Sequence, residues 1–290
     1  MARRKPPTVH GLAVVDKPAG VTSHDVVGML RRRFGERQVG HAGTLDPDAT
    51  GVLLVGVGKC TRLLRFLTDL GKTYTAEIVF GTATDTLDSS GVTTGIFDMS
   101  ALTAQQVTAG ATQLTGPIMQ IPPMVSAVKI DGKRLHELAR EGVEVERAPR
   151  PVTVYRFDIA PTADPLVYAA EVQCSKGTYI RTLADDLGRL CGGGAHLRHL
   201  RRTAVGSFTV AQAVPPDEVE LLALPVAVRD YPQIVVDDAT AALVGNGRVL
   251  GRDDRFAGDG PWALIGPDGA LLAMYEAHSG GTAKPSVVVA

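Results

Sequence analysis

Three cysteines in 290 residues, Cys60, Cys174 and Cys191, are too few, and spaced too far from any CxxC pattern, for a disulfide framework or a zinc ribbon. They are expected to be reduced, structural thiols. Aromatic residues make up only 5% of the chain, and Trp262 is the single tryptophan. A row of aromatic platforms, such as a carbohydrate-cleaving enzyme would stack sugars on, lacks material. No apolar run reaches the roughly 20 residues that span a bilayer, and the basic stretch from Arg3 to Lys5 is not followed by the apolar core of a signal peptide. The expected compartment is the cytoplasm, without membrane contact. Charge of one sign is missing too: 30 Lys and Arg stand against 31 Asp and Glu, a net of −1.

What is present is an ordinary globular composition, 44% hydrophobic and 21% charged, long enough for one large unit and one small one. The charge is unevenly spread. Residues 211–290 hold 5 Lys and Arg against 11 Asp and Glu, leaving 25 against 20 in residues 1–210, a local net of +5. Basic residues gather at Arg31-Arg32-Arg33, at Lys59 with Arg62 and Arg65, and at Arg198, Arg201 and Arg202. Such clusters suit either solvated helix faces or a surface for an anionic polymer.

Local patterning predicts a mixed α and β chain. Residues 11–16 read as a buried strand stopped by Lys17-Pro18-Ala19-Gly20. A helix follows, capped by Thr22 or Ser23, with Asp25 at its positive end, Val26, Val27, Met29, Leu30 and Phe34 on its apolar face, and Gly35 ending it. Residues 52–57 form a second strand and residues 59–67 have helical spacing. Residues 72–80 alternate with Tyr74, Ala76, Ile78 and Phe80 on one face, the period of a strand. Residues 82–91 read as a polar loop, and Thr103 with Gln106 as a capping box opening a helix to about residue 114. Pro117, Pro122 and Pro123 argue against regular structure there. Further helices are expected over 133–140 and 179–190, with strands over 152–159 and 166–173. The prolines between 215 and 232 place a boundary near residue 230, ahead of a small, Gly-rich β module with a hairpin turn at Gly245-Asn246-Gly247-Arg248.

The segment from Gly40-His41 to Asp46-Pro47-Asp48 and Gly51 is neither helix nor strand by pattern. Glycines and a proline fix a tight loop between apolar strands, where a scaffold presents side chains for chemistry. Taken alone, Asp46-Pro47 equally marks a simple turn. Two other patterns carry little. Gly56-Val57-Gly58-Lys59-Cys60-Thr61 has Cys60 where a nucleotide-triphosphate loop needs Ser or Thr, and Leu53 where it needs Gly. His196 and His199 lie near Cys191 without a second ligand pair, so no metal is expected.

The ordered blocks Lys17-Pro18-Ala19-Gly20, Gly40 through Pro47, Lys72-Thr73-Tyr74 and Gly177-Thr178-Tyr179-Ile180-Arg181 resemble the bacterial tRNA pseudouridine synthases of the TruB type, which modify uridine 55 in the T loop. Residues 120–142, from Gln120-Ile121-Pro122-Pro123 to Arg140-Glu141-Gly142, are similar to that family's RNA-binding insertion, placed at about 117–150. The stretch Gly194 through Arg202 matches as well, so the resemblance covers roughly residues 10–210. Asp48 departs from it as an extra carboxylate beside Asp46. Residues 231–290 resemble the family's PUA-like module weakly.

The resemblance implies an α+β pseudouridine synthase catalytic domain over 1–230 with a mixed sheet, followed by the PUA-like module. It implies Asp46 as nucleophile, Arg181 as the cation that keeps it ionised, and Tyr74 as a base-stacking residue that helps move the C5 proton. His41, Tyr179, Leu200 and Lys17 would contact the substrate, and Lys129, Lys133, Arg201 and Arg202 the RNA backbone. Breaking the N1–C1′ bond and rejoining uracil through C5 suits an aspartate, which can attack the sugar or remove the C2′ proton. The target nucleotide must first be flipped out. No cofactor or metal is implied, and the partner is the T arm of tRNA, met by a monomer without an obligate protein partner. A non-catalytic RNA chaperone, a glycoside hydrolase and a guided synthase of the dyskerin type are the competing readings. Removal of residues beyond about 231 is expected to matter less than loss of the basic clusters.

Overall fold

The computed structural model describes residues 6–126, 129–130, 133–134, 141, 143 and 145–289. Two compact units form: Met1–Leu70 with Val205–Ala290, and Gly71–Ala204. This division does not follow the boundary expected near residue 230, because the chain's last third returns to pack on its first seventy residues.

In the first unit, β1 (Gly11–Lys17) pairs antiparallel with β3 (Thr50–Val57), and β2 (Val39–Ala42) pairs with the other end of β3. Both faces of β1 and β3 are covered, so their sequences are continuously apolar rather than alternating. Ala13, Val15, Leu53 and Val55 meet Val26, Val27 and Leu30 of α1 (Ser23–Phe34) on one face. Leu12, Val14, Val52 and Leu54 belong to a core on the other, with Phe66 and Leu67 of α2 (Leu64–Asp69). Helix α1 starts as its sequence predicts. Thr22 accepts from the Asp25 backbone N–H, Asp25 caps in return, and Gly35 closes the helix in the left-handed conformation. Arg31, Arg32 and Arg33 fall in its last turn, where the helix dipole favours cations.

The second unit carries a sheet with β12 (Ala195–Val205), β4 (Lys72–Phe80), β11 (Val167–Cys174), β10 (Arg150–Pro161) and β7 (Gly116–Gln120) in that spatial order, antiparallel from β4 to β7. β4 alternates between buried and half-buried residues along its whole length, with Tyr74, Ala76, Ile78 and Phe80 inward. Helices α3 (Ala104–Gln113) and α4 (Ile180–Leu190) pack on each other, and α3 packs on β10. Three expectations change here. Residues around Pro117 do form a strand, because β7 is the sheet edge, where a missing N–H is tolerated. The polar loop at 82–91 begins as β5 (Thr82–Thr84), which pairs with β6 (Thr93–Ile96). Lys133 and Arg134, expected to open a helix, are β9 (Lys133–Arg134), paired with β8 (Lys129–Ile130). The rest of that helix, and the side chains of Lys129 and Lys133, lie outside the described residues.

The chain from Val205 onward, beginning with the short strand β13 (Phe208–Thr209), completes the first unit. Its last part is a five-stranded sheet in the order β14 (Gln233–Val235), β16 (Trp262–Ile265), β17 (Leu271–His278), β18 (Thr282–Val288), β15 (Leu250–Gly251). Trp262, Tyr275, Leu264 and Val244 form its own core, while Ala263, Ile265, Leu271, Met274 and Val289 join the core beneath β1 and β3. The expected hairpin at 245–248 is instead the end of helix Asp238–Gly245, capped by Asn246.

Candidate active site

The Asp46 loop, shortened to 43–49 because Gly40 and His41 lie in β2, is tied down from three sides within the first unit. The Ser23 hydroxyl, at the start of α1, accepts from the Leu45 N–H at 2.9 Å and donates to the Leu45 carbonyl at 3.0 Å. The Lys17 ammonium, at the end of β1, donates to the carbonyls of Pro47 and Pro18, each at 2.9 Å. The Gly20 N–H donates to the same Pro47 carbonyl at 3.0 Å. Gly43 (φ 91°) and Gly51 (φ 102°) bracket the loop in conformations closed to residues with a Cβ. Leu45 and Ala49 are buried, which leaves half-buried Asp46 presented between two anchored neighbours. His41 is close by in β2, its ring edge-on to His24 at 5.9 Å. Lys17 is 0% exposed. In this structure it is an internal cation that holds the loop's backbone.

In the second unit, Arg181 lies in the first turn of α4 and is 5% exposed. Its guanidinium donates to the Thr86 carbonyl at 2.9 Å and the Val125 carbonyl at 2.8 Å, and lies 3.4 Å from the Asp88 carboxylate. Asp88 is itself fixed by Thr86 Oγ1 at 2.7 Å and Ser90 Oγ at 2.5 Å. Tyr179, the residue before α4, has both backbone polar atoms paired with the Gln120 carboxamide: its N–H donates to Oε1 at 2.7 Å and its carbonyl accepts from Nε2 at 3.0 Å. Tyr74 lies on the buried face of β4. Leu200 is half-buried in β12, next to His199, which has φ 54° and Nδ1 3.1 Å from the Glu77 carboxylate.

The basic clusters are largely occupied within the protein. Arg31 donates to the Val39 carbonyl, Arg33 to the carbonyls of Val219 and Asp217, Arg62 to Val288, and Arg65 pairs with Glu276. Arg198 pairs with Glu77 at 2.7 Å. Arg202, expected on an RNA backbone, is 1% exposed, a buried cation of β12, while Arg201 is half-buried. His196 Nδ1 faces the Thr82 carbonyl at 3.0 Å, so that ring nitrogen is engaged with the backbone. Sequence reasoning missed Ser23, Asp88 and Gln120. Ser23 stood in plain view only as a cap, and the other two lie in segments read as loop or insertion, 93 and 59 residues from the residues they hold.

The fold is similar to that of a chain in a "Cbf5-Nop10-Gar1 Complex", at TM-score 0.73 and 23% identity, covering 97% of this chain and 85% of that one. The model described as "TruB family pseudouridylate synthase (N terminal domain)" matches residues 31–180, which sets the class as a pseudouridylate synthase, an isomerase. The "tRNA pseudouridylate synthase B C-terminal domain" model matches residues 181–230. A protein of Arthrobacter sp. (strain FB24) named "tRNA pseudouridine synthase B" is 44% identical, covering 97% of this chain and 96% of its own length. One of the same name from Symbiobacterium thermophilum is 49% identical over 82% of each. The chain belongs to the TruB family.

Proposed function

We propose that this pseudouridylate synthase acts on tRNA, isomerising the uridine at position 55 of the T loop, with Asp46 as its nucleophile. The observation that carries the reading is the Asp46 loop: a carboxylate on a segment whose backbone on either side is held in place by Lys17, Ser23 and Gly20. A group that must react with a sugar carbon gains from such fixed placement.

The N1–C1′ bond breaks, the uracil turns, C5 bonds to C1′, the C5 proton leaves, and N1 takes up a proton, so that the product is an isomer of the substrate. Asp46 either adds to C1′ and holds the sugar while the base turns, or takes the C2′ proton to open a glycal. Arg181 supplies the positive charge that keeps a carboxylate ionised away from water, and its forked guanidinium fixes direction as well as charge. Tyr74 stacks on the flipped base and assists the C5 proton; His41, Tyr179 and Leu200 contact it. Lys129, Lys133 and Arg201 meet the RNA backbone, with residues 231–290 as a PUA-like module. The enzyme works as a monomer in the cytoplasm, without cofactor or obligate protein partner.

A T-arm minihelix incubated with pure protein alone tests this. Cyanoethylation and mass spectrometry should find pseudouridine at one T-loop position. Bound but unchanged RNA would favour the chaperone reading instead.

A further inference from the structure

Among the described residues, Gln120 is a polar side chain in a place where chemistry does not obviously need one. It ends the edge strand β7, is 2% exposed, and its carboxamide both donates to and accepts from another segment's backbone. A primary amide has a donor and an acceptor side by side, the arrangement of a peptide group in a β ladder. Against Tyr179 it therefore acts as one rung of strand pairing at a position where no strand exists. The rung falls on the residue that caps α4. Tyr179 is in the extended conformation (φ −99°, ψ 109°), and no side chain caps the helix through it. Gln120 thus takes over part of the task that a capping side chain performs at other helix starts.

Two further contacts run the same way. The Thr182 hydroxyl reaches the Ile121 carbonyl at 3.5 Å, and the Arg181 guanidinium donates to the Val125 carbonyl at 2.8 Å. Residues 120–125 thereby trace the first turn of α4. Arg181 and Tyr179 are the two family-assigned residues on that turn, and the carboxamide pair is the contact that fixes the backbone from which both side chains depart.

We propose that Gln120 is a positioning residue for pseudouridine formation: its carboxamide holds the Tyr179 backbone and so sets where Arg181 and the Tyr179 ring stand. The inference rests on the functional reading above, in which both residues serve the reaction. A misplacement of about 1 Å in such a group is enough to slow chemistry by about a hundredfold. Gln120 is 2% exposed and bonds to the Tyr179 backbone, so loss of these two hydrogen bonds should act on the chemical step more than on RNA affinity.

Gln120→Met keeps length and volume and removes both hydrogen bonds. Gln120→Glu keeps the acceptor but, when ionised, sets a carboxylate against the Tyr179 carbonyl; when protonated, its hydroxyl restores the donor. Single-turnover rates at saturating T-arm RNA, RNA affinity and amide exchange over residues 179–182 are measured for both. The expected result is faster exchange, unchanged affinity and a rate lowered about ten- to hundredfold for Gln120→Met, consistent with two lost hydrogen bonds. Gln120→Glu should approach the wild-type rate as pH is lowered, a recovery that generic loss of packing would not give. Faster exchange with an unchanged rate would overturn the proposal, as would a Gln120→Glu to wild-type ratio that does not move with pH. A wild-type chain that forms no pseudouridine would instead overturn the functional reading, and the proposal with it.

Discussion

Lys17 shows how a residue can be found by pattern while its packing role is not. The turn signal Lys17-Pro18-Ala19-Gly20 is plain in the sequence, but a terminal ammonium buried on two carbonyls is a consequence of where β1 ends relative to the Asp46 loop. Lys17→Met should leave the Pro47 carbonyl with the Gly20 N–H alone and destabilise the first unit by about 1–3 kcal/mol, the usual penalty for a buried polar group left short of partners. It should also lower turnover, because the loop would lose its anchor. Urea unfolding and single-turnover rates check both, and wild-type values in each would show that the anchor is dispensable. The loop around Asp46 was legible as a loop because glycine, proline and aspartate carry strong local signals. Asp88 and Gln120 were not, because their meaning lies in a partner far along the chain. Glu77 adds a pH-dependent case. The hydrogen bond from Arg198, aided by His199 and opposed by burial, holds its carboxyl below the usual range. A lowered folded value means the stabilisation is complete above the unfolded value of about 4.3 and is lost as pH falls through the folded one. Stability of Glu77→Gln should therefore fall less steeply than that of the wild type below about pH 5, and parallel slopes would contradict the assignment.

Among the elements, those with a cap or a clean period were readable and those defined by a neighbour were not. α1 and α3 announce themselves through Thr22 with Asp25 and Thr103 with Gln106, and β4 through nine alternating residues. β7 carries Pro117 and exists because β10 lies beside it; β2 is a four-residue strand containing Gly40. The helix Asp238–Gly245 has no marked apolar face, and its closing Gly245-Asn246-Gly247 imitates a hairpin. The cap of α1 has a consequence beyond the helix, since Ser23 in its first turn also holds Leu45. Thr22→Ala should cost about 1 kcal/mol in chemical unfolding, the typical value of a lost cap. Amide exchange at Leu45 should rise with it, and a rise confined to α1 would show that the loop is held independently.

At the scale of the whole molecule, composition pointed in a useful direction but overstated it. The excess of +5 in residues 1–210 is real, yet Arg62 and Arg65 hold the C-terminal sheet and Arg198 holds Glu77. The residues beyond 231, expected to add less RNA affinity than the basic clusters, also carry part of the fold. Ile265, Leu271, Met274 and Val289 belong to the core under β1 and β3, and at about 1.5–3 kcal/mol each their loss rivals the ~5–15 kcal/mol stability of a typical domain. A chain ending at residue 230 should therefore lose cooperative unfolding rather than only RNA affinity, and a wild-type-like transition by circular dichroism would contradict this. Binding of T-arm RNA by the intact chain should weaken steeply with salt, with a shallower slope for Arg201→Gln.

The central claim is that Asp46 performs the chemistry, and its most direct test follows the hydrogen that the reaction must expel. In T-arm RNA carrying tritium at uridine C5, forming the C5–C1′ bond releases the label to water. Wild-type protein should release the label from one uridine per RNA. Asp46→Asn, which keeps the shape of the loop, should bind the RNA with near wild-type affinity and release none above background. Release by Asp46→Asn at a rate near that of the wild type would contradict the account.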